Sequence, residues 1–243
     1  MDIKGKNVLV AGGGTGIGAA CALALAQAGC RVAISGRREA KLREVAEQPG
    51  GGPPILFHAA DVADRKSVRE LFAWADEQLG QIDIFINSAG VNIVDRMMSN
   101  LTPENWDLLM QVNATGAYNC MHAVLPQMRD RGDGLIINVS SIAGKRAGLL
   151  GGVAYNASKF AMTALSITVA QEEKDHGIRI TNVYPGEVDT PILENRPVPV
   201  TDEHRARILK PEDVAAAILM IAKLPPRAHI PELTIKPTTQ AYA

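Results

Sequence analysis

Residues 7–18 of the chain read NVLVAGGGTGIG, a short apolar run that leads directly into a cluster of glycines. The β-branched run at 7–11 predicts a buried strand, and the Ala-rich pattern of residues 16–28 predicts a helix after the turn. Glycine suits this turn because the backbone can bend sharply and approach a ligand closely. The helix start presents unpaired N–H groups, so the unit predicts a site for a dinucleotide pyrophosphate. The alternative is a glycine-rich surface turn.

Short apolar strands alternate with helical segments along nearly the whole chain. Strands are predicted at 7–11, 31–35, 55–59, 82–87, 135–139, 178–184 and 233–236. Helices are predicted at 16–28, 39–47, 64–79, 103–128 (capped by Thr102), 153–175 and 211–222. Residues 49–54 are predicted as a loop, and 187–210 as a substrate-binding loop or lid. The alternation predicts an α/β fold, a single-domain doubly wound parallel sheet (Rossmann fold) over residues 1–243 with helices on both faces.

The composition excludes several classes of function. Of the 243 residues, 47% are hydrophobic, which excludes a largely disordered chain. Lys and Arg number 25 against 26 Asp and Glu, so the chain has no basic excess for binding nucleic acid. The three cysteines and five histidines lack metal-ligand spacing, so neither a disulfide framework nor a metal site is expected. Without a signal peptide or a membrane-spanning run, the sequence predicts a soluble cytoplasmic protein with no membrane partner.

The end of the second predicted strand carries Ser35-Gly36-Arg37-Arg38. A site that prefers NAD carries Asp or Glu there, about 20 residues beyond the glycine turn. Two guanidiniums suit a ribose 2′-phosphate instead, because they bind it through paired hydrogen bonds. The sequence therefore favours NADP(H) over NAD(H). The alternative, most open for Arg38, is a side chain on the solvated face of the second helix.

Tyr155 and Lys159 are four residues apart on a predicted helix, so the phenol and the ammonium share one face. The hydroxyls of Ser140 and Ser141 follow the fifth strand, at the sheet edge where ligands bind in open α/β folds. Carbonyl reduction needs a proton donor to the oxygen, and the reverse reaction needs a base. A free tyrosine, with a pKa of about 10, is a poor base at neutral pH. Lowering that pKa by about three units takes about 4 kcal/mol, to which the charge of Lys159 can contribute.

Taken together, these motifs resemble the short-chain dehydrogenase/reductase family over nearly the whole chain. They are the GxxxGxG turn at 12–18, Asp61-Val62, Asn87-Ser88-Ala89-Gly90, Asn113, the set of Ser141, Tyr155 and Lys159, and Pro185-Gly186. The resemblance implies an oxidoreductase that interconverts a carbonyl and a secondary alcohol, with a 3-oxoacyl or other β-keto substrate. The alternatives are a 3-hydroxy acid or amino-alcohol dehydrogenase of the same family, and a catalytically silent NADP-binding sensor. A methyltransferase on a similar sheet would leave Arg37 and the YxxxK motif unexplained.

The resemblance also implies a role for each matched position. Tyr155 is the general acid/base, Ser141 holds the substrate oxygen, and Asn113 positions a water that links Lys159 to solvent. Together with the glycine turn and the two arginines, the predicted cofactor site comprises Gly12, Gly14, Thr15, Gly16, Ile17, Gly18, Arg37, Arg38, Asp61, Val62, Asn87, Ala89, Gly90, Tyr155, Lys159, Pro185, Gly186, Val188 and Thr190. The substrate walls are expected in 91–97, 142–152 and 187–210.

The chain departs from the family pattern in several places. Ala11 replaces the usual Thr before the first glycine, and Ser88 replaces the second Asn of NNAG. The spacing from Ser141 to Tyr155 is one residue longer than the commonest one, so Ser140 stays open as an alternative. We choose Ser141 because it directly precedes Ile-Ala-Gly. The C-terminus lacks the usual Asp-Gly-Gly, so the typical substrate cannot be carried over directly.

The predicted helix at 153–175 is apolar around much of its circumference. One face is expected to cover the sheet, which leaves another for a second subunit. The sequence therefore predicts a homo-oligomer, and the family resemblance implies a tetramer. Lys145 and Arg146 are expected beside the predicted pocket. They either attract an acidic substrate or are ordinary solvated surface residues.

Overall fold

The computed structural model describes residues 1–48 and 51–241, so the first two residues of the predicted loop at 49–54 lie outside the described residues. Seven parallel strands form one sheet in the order β3-β2-β1-β4-β5-β6-β7. They are β1 (Asn7–Ala11), β2 (Arg31–Gly36), β3 (Leu56–Ala59), β4 (Ile84–Asn87), β5 (Gly134–Val139), β6 (Ile178–Pro185) and β7 (Glu232–Ile235). The winding direction reverses where the chain crosses from β3 back to place β4 beside β1. This confirms the predicted doubly wound parallel sheet.

Helices cover both faces of the sheet. They are α1 (Gly16–Gln27), α2 (Glu39–Ala46), α3 (Arg65–Leu79), α4 (Pro103–Leu109), α5 (Gly116–Arg131), α6 (Val153–Glu173), α7 (Asp202–Arg205) and α8 (Pro211–Ala222). The predicted cap of α4 is confirmed, because the Thr102 side chain accepts a hydrogen bond from the Asn105 N–H. None of the described helices has the length and hydropathy needed to cross a membrane.

Two apolar cores lie on the two faces of the sheet. Val8 and Val10 of β1 belong to the core that includes α1 and α8. Leu9 and Ala11, which point the other way, belong to the core that includes α3 and α5. A strand buried on both faces reads as a continuous apolar run, which is why the sequence pattern located β1 so well. These cores hold the carboxyl ends of the strands at one edge of the sheet.

The prediction of one continuous helix from 103 to 128 is wrong in its middle. A π-helical segment, Met110–Thr115, separates α4 from α5. Within it, the buried side chain of Asn113 accepts from the N–H of Val91 and donates to the C=O of the same residue. A wider turn of this kind often marks a functional site. Helical periodicity could not predict it, because Val91 is distant in the sequence.

The predicted lid at 187–210 contains more regular structure than the sequence suggested. A 3₁₀ turn spans Pro191–Asn195 and α7 follows. The Thr201 side chain caps α7 by accepting a hydrogen bond from the N–H of His204. The C=O of Glu187 accepts from the N–H of Leu209, so the two ends of the segment are joined.

Candidate active site

A cavity of about 760 Å³ lies at the sheet edge where the strands end. Residues that follow six neighbouring strands line it, from Gly12 after β1 to Gly186 after β6. Ligands of open α/β sheets bind in this crevice, where the winding direction reverses. The glycine turn and the YxxxK motif both belong to the lining of this one cavity.

The glycine turn is shaped by close backbone contacts. Gly12 has φ +78, and a Cβ added there would lie 2.6 Å from the N atom of Ala89. A Cβ at Gly18 would lie 2.2 Å from the O atom of Gly12, so the start of α1 packs directly on the turn. Because its glycines carry no side chain, the backbone N–H groups of the turn and the N-terminus of α1 can approach an anion closely. This cradle fits the pyrophosphate of a dinucleotide.

Most of the predicted cofactor residues lie together in the cavity wall. These are Gly12, Gly14, Thr15, Gly16, Ile17, Arg37, Arg38, Asp61, Val62, Ala89, Gly90, Tyr155, Lys159, Pro185, Gly186, Val188 and Thr190. Ser141 lines the same cavity, as do residues of all three segments expected to form the substrate walls.

Three predicted site residues do not line the cavity. Gly18 lies behind the turn, where it allows the packing of α1 described above. Asn87 is buried in the sheet and donates to the Oδ1 of Asn138 at 3.3 Å. Asn113 is fully buried and donates to Ser158 Oγ at 3.0 Å, besides its two contacts with Val91. Their side chains therefore act on neighbouring protein groups in this structure, and any role at the ligand is indirect.

Arg37 and Arg38 directly follow β2 and are exposed at the cavity wall. Within residues 1–48 and 51–241, neither guanidinium pairs with a carboxylate. Their neighbour Lys41, in contrast, forms an ion pair with Glu44 at 2.7 Å. The two arginines thus offer positive charge and donors to a ligand beside the end of β2.

Tyr155 and the two candidate serines differ in what their hydroxyls contact. The Oγ of Ser140 lies 3.4 Å from both the Lys159 C=O and the Thr163 hydroxyl. The Oγ of Ser141 instead accepts from the N–H of Ala143 at 3.1 Å and lies close enough to the phenol of Tyr155 to influence its pKa. Burial raises the pKa of Tyr155, while the nearby Ser141 hydroxyl and the charge of Arg96 act in the opposite direction. The phenol is therefore protonated at neutral pH.

Lys159 is a buried ammonium at the same wall. Its Nζ donates to the C=O of Val139 at 3.1 Å and lies 5.7 Å from the centroid of the Tyr155 ring. Burial lowers the pKa of Lys159 from 10.5 to about 8. A Cβ added at Gly90 would lie 3.4 Å from both Lys159 Nζ and Asn113 Oδ1. Asn113 and Lys159 therefore lie close to the same glycine.

The buried charge of Lys159 predicts a pH-dependent change in stability. Lys159→Met is expected to raise the free energy of unfolding of the cofactor-free protein by about 2–3 kcal/mol at pH 7. The folded-state pKa is about 8 against 10.5 for an ordinary lysine, so the cost of the charge is fully present below pH 8. It falls as the pH rises and vanishes near pH 10.5, where both states are losing the proton.

Denaturant unfolding at pH 7 and at about pH 10 measures this difference, since extrapolation gives the unfolding free energy at each pH. Lys174→Met, at an exposed position just after α6, is the matched control and should differ little from the wild type at either pH. A stability gap for Lys159→Met that stays constant with pH would contradict the prediction.

The sequence reasoning missed several side chains of the cavity wall. Arg96, Arg196 and Gln240 all line it, and Gln240 Oε1 accepts from the N–H of Glu187 at 3.0 Å. Arg96 and Arg196 fall inside segments expected to form walls, but no local pattern singles either of them out. Lys145 pairs with Glu232 at 2.5 Å and lies over the Tyr184 ring, outside the cavity lining, whereas Arg146 belongs to it.

Comparisons with known proteins agree on one family. A family model described as short chain dehydrogenase matches residues 6–199. An acetoacetyl-CoA reductase of Rhizobium meliloti (strain 1021) is 34% identical over 223 residues, covering 89% of this chain and 90% of that protein.

Solved structures of similar proteins cover almost the whole chain. An alcohol dehydrogenase from the archaeon Thermococcus sibiricus, complexed with 5-hydroxy-NADP, matches with a TM-score of 0.88 and 27% identity over 99% of this chain and 100% of that one. The closed form of a serine dehydrogenase complexed with NADP+ matches with a TM-score of 0.87 and 29% identity over 98% and 97% of the two chains.

Proposed function

This chain belongs to the short-chain dehydrogenase family and is a nicotinamide-dependent dehydrogenase, and we propose that it interconverts a carbonyl and a secondary alcohol with NADP(H). One observation carries the proposal: the neighbouring hydroxyls of Ser141 and Tyr155 lie in the wall of the cavity that the glycine turn also lines. The dinucleotide supplies or accepts the hydride when bound. The side chains of the chain itself then have to orient the substrate oxygen and move its proton.

In the direction of reduction, Tyr155 donates the proton. Its raised pKa keeps the phenol protonated at neutral pH, which is the form a general acid needs. Ser141 donates a hydrogen bond to the substrate oxygen and stabilises the negative charge that develops there. The Ser141–Tyr155 contact supports this choice over Ser140, whose hydroxyl lies near α6 groups.

Lys159 stabilises the phenolate that remains after the proton has moved. Its ammonium lies 5.7 Å from the Tyr155 ring centroid, within reach of an electrostatic effect. Asn113 lies close to the same glycine as Lys159, and in the proposed scheme it helps to position a water that returns a proton from solvent. Its hydrogen bonds to Val91 hold that amide in one orientation.

A 3-oxoacyl or other β-keto compound is the proposed substrate. Support comes from the 34% identical relative, which is named for the reduction of an acetoacetyl thioester. The segment 187–210 would cover the bound substrate, and its residues Glu187 and Arg196 belong to the cavity wall. The alternative within the family is a 3-hydroxy acid or amino-alcohol dehydrogenase.

A direct test of the reaction is NADPH oxidation, followed by its absorbance, against a panel of β-keto esters, thioesters, diketones and oxo acids. Turnover of any carbonyl supports the proposal, and the product alcohol identifies the reaction. Tight binding of NADPH with no turnover of any compound would favour the silent sensor.

The proposed homo-oligomer rests on an apolar stripe of α6. Val153, Phe160 and Ile167 are exposed and seven residues apart, so they follow one line along the helix. Tyr118 on α5 is also exposed. A second copy would remove this apolar surface from water, and by family resemblance the assembly is a tetramer.

Phe160→Arg is therefore expected to reduce the molar mass in solution, because a charge on the stripe would be buried at the interface. Light scattering at micromolar concentration measures the mass. Glu172→Arg, at an exposed position on another side of α6, serves as the control and should leave the mass unchanged. A wild-type protein that is monomeric under these conditions contradicts the proposal.

A further inference from the structure

Arg96 is a buried arginine in the wall of the cavity, with only 4% of its surface exposed. Three main-chain carbonyls from separate segments hold its guanidinium. Nε donates to the Ile93 oxygen at 2.8 Å, Nη1 to Leu150 at 2.7 Å and Nη2 to Asn195. These contacts set the position of the guanidinium, because each comes from a different part of the wall.

The positive charge of Arg96 has no counterion among the described residues. Within residues 1–48 and 51–241, no carboxylate forms an ion pair with it, whereas the neighbouring Arg196 pairs with Glu187 at 2.8 Å. Burial and the like charge of Arg196 both lower the pKa of Arg96, which identifies a site of positive potential. The three carbonyls stabilise this charge in part, and the carboxylate of a bound ligand would offset the remaining cost of its burial.

The number of N–H groups on Arg96 that lack an acceptor is also consistent with a bound carboxylate. A guanidinium has five N–H groups, and three are used by the carbonyls. In the described part of the chain no acceptor takes the remaining two, one on each terminal nitrogen. A carboxylate accepts such a pair with its two oxygens.

Arg96 is also close to the reacting group. Its C=O accepts from the N–H of Val153 at 3.0 Å, at the first residue of α6 and two residues before Tyr155. A Cβ added at Gly152 would lie 2.5 Å from the Cβ of Arg96, so the two segments are tightly packed. The charge of Arg96 also acts to lower the pKa of Tyr155, so the guanidinium lies within electrostatic range of the phenol.

We propose that Arg96 is the specificity-determining residue for the substrate and binds a carboxylate carried by the molecule whose carbonyl is reduced. The inference rests on the proposed carbonyl–alcohol reaction and narrows its substrates to oxo acids and hydroxy acids of short chain. Such a compound places a carboxylate at Arg96 while its carbonyl oxygen meets Ser141 and Tyr155. The uncharged β-keto compounds then become poorer substrates of the same site.

The test compares acids with their uncharged amides. Pyruvate, acetoacetate and levulinate, each paired with its amide, are assayed by NADPH oxidation with the wild type, Arg96→Gln and Arg96→Lys. For the best pair, the wild type should prefer the acid at least about tenfold in kcat/KM, the size of one charge-assisted contact. Arg96→Gln should remove that preference, because it should lower the kcat/KM of the acid at least about tenfold more than that of the amide, and Arg96→Lys should retain part of it.

The amide reports whether the variant still folds, because it needs the same active site without the charge contact. Arg207→Gln, which removes an exposed arginine that is not part of the cavity lining, is the matched control and should retain the acid preference. Equal losses for acid and amide in Arg96→Gln would make Arg96 a purely structural clamp and overturn the proposal. So would a wild type without preference for any acid.

A binding measurement distinguishes failure of the proposed reaction from failure of the proposed carboxylate site. In the NADP+ complex of Tyr155→Phe, titration calorimetry compares 3-hydroxybutanoate with 3-hydroxybutanamide, with and without Arg96→Gln. One outcome is that the wild type reduces no carbonyl while the acid still binds more tightly than the amide, and only when Arg96 is present. That result would support the carboxylate site and overturn the proposed reaction. Equal binding of the two compounds overturns the carboxylate site.

Discussion

Tyr155→Phe is expected to lower kcat by at least about 10³-fold, because the substitution removes the only proposed proton donor to the substrate oxygen. The ring remains, so its packing in the cavity wall is preserved. The polar contact with the Ser141 hydroxyl is lost, which costs at most about 1 kcal/mol in stability. Steady-state NADPH oxidation measures kcat. Fluorescence titration measures the dissociation constant of NADPH, which should change by less than about threefold, a smaller effect than the loss of one typical hydrogen bond would cause.

Tyr184→Phe provides the matched control for this experiment. Tyr184 is also buried, and its hydroxyl donates to Glu232 at 3.1 Å, outside the cavity lining. Its removal tests whether loss of any buried phenol hydroxyl reduces turnover, and we expect activity close to the wild type. Activity of Tyr155→Phe within about tenfold of the wild type would overturn the assigned general acid, since proton donors usually contribute far more. Loss of NADPH binding would instead indicate a damaged cavity.

The second large effect is expected at the end of β2. Arg37→Ala combined with Arg38→Ala should lower kcat/KM for NADPH at least about a hundredfold, since each charge-assisted hydrogen bond contributes about 1.5–3 kcal/mol. The value for NADH should change by less than about threefold, because NADH lacks the 2′-phosphate that these guanidiniums would bind. Steady-state kinetics with both cofactors at fixed ionic strength gives the four values needed.

The single variants decide between the two interpretations of Arg38. If Arg38 belongs only to the solvated face of α2, Arg38→Ala will leave the preference intact and Arg37→Ala will carry the whole effect. Arg43→Gln is the control, because Arg43 lies on α2 outside the cavity lining and pairs with Glu39. A wild type that uses NADH as efficiently as NADPH would contradict the NADP(H) assignment itself.

The sequence predicted the sheet well because its signals are local. The β1 run and the glycine turn are contiguous, and the central strands β1, β4 and β5 are buried on both faces, so each of these elements has a continuous apolar run of its own. The boundaries shifted by one or two residues in most elements; β4, for example, begins at Ile84 instead of residue 82. The local apolar pattern identifies a strand, whereas its exact ends depend on the neighbouring strands with which it pairs.

Prediction from local sequence patterns fails where the position of a side chain depends on a contact with a distant segment of the chain. The π-helical segment at Asn113 depends on Val91, and the arrangement of Ser140 and Ser141 depends on where α6 packs. Arg96 is the clearest case, because its partners Leu150 and Asn195 are 54 and 99 residues away. No pattern within a local window contains these contacts.

The sequence by itself determined the parallel α/β sheet, the glycine turn and the pairing of Tyr155 with Lys159, because each depends on residues within one strand or one turn of helix. Only the tertiary structure decided that Ser141, and not Ser140, lies next to the phenol, and that a buried guanidinium without a carboxylate partner among the described residues lies near it. These features arise where loops from separate strands meet at one edge of the sheet. Burial, charge and hydrogen bonding there depend on the folded chain as a whole.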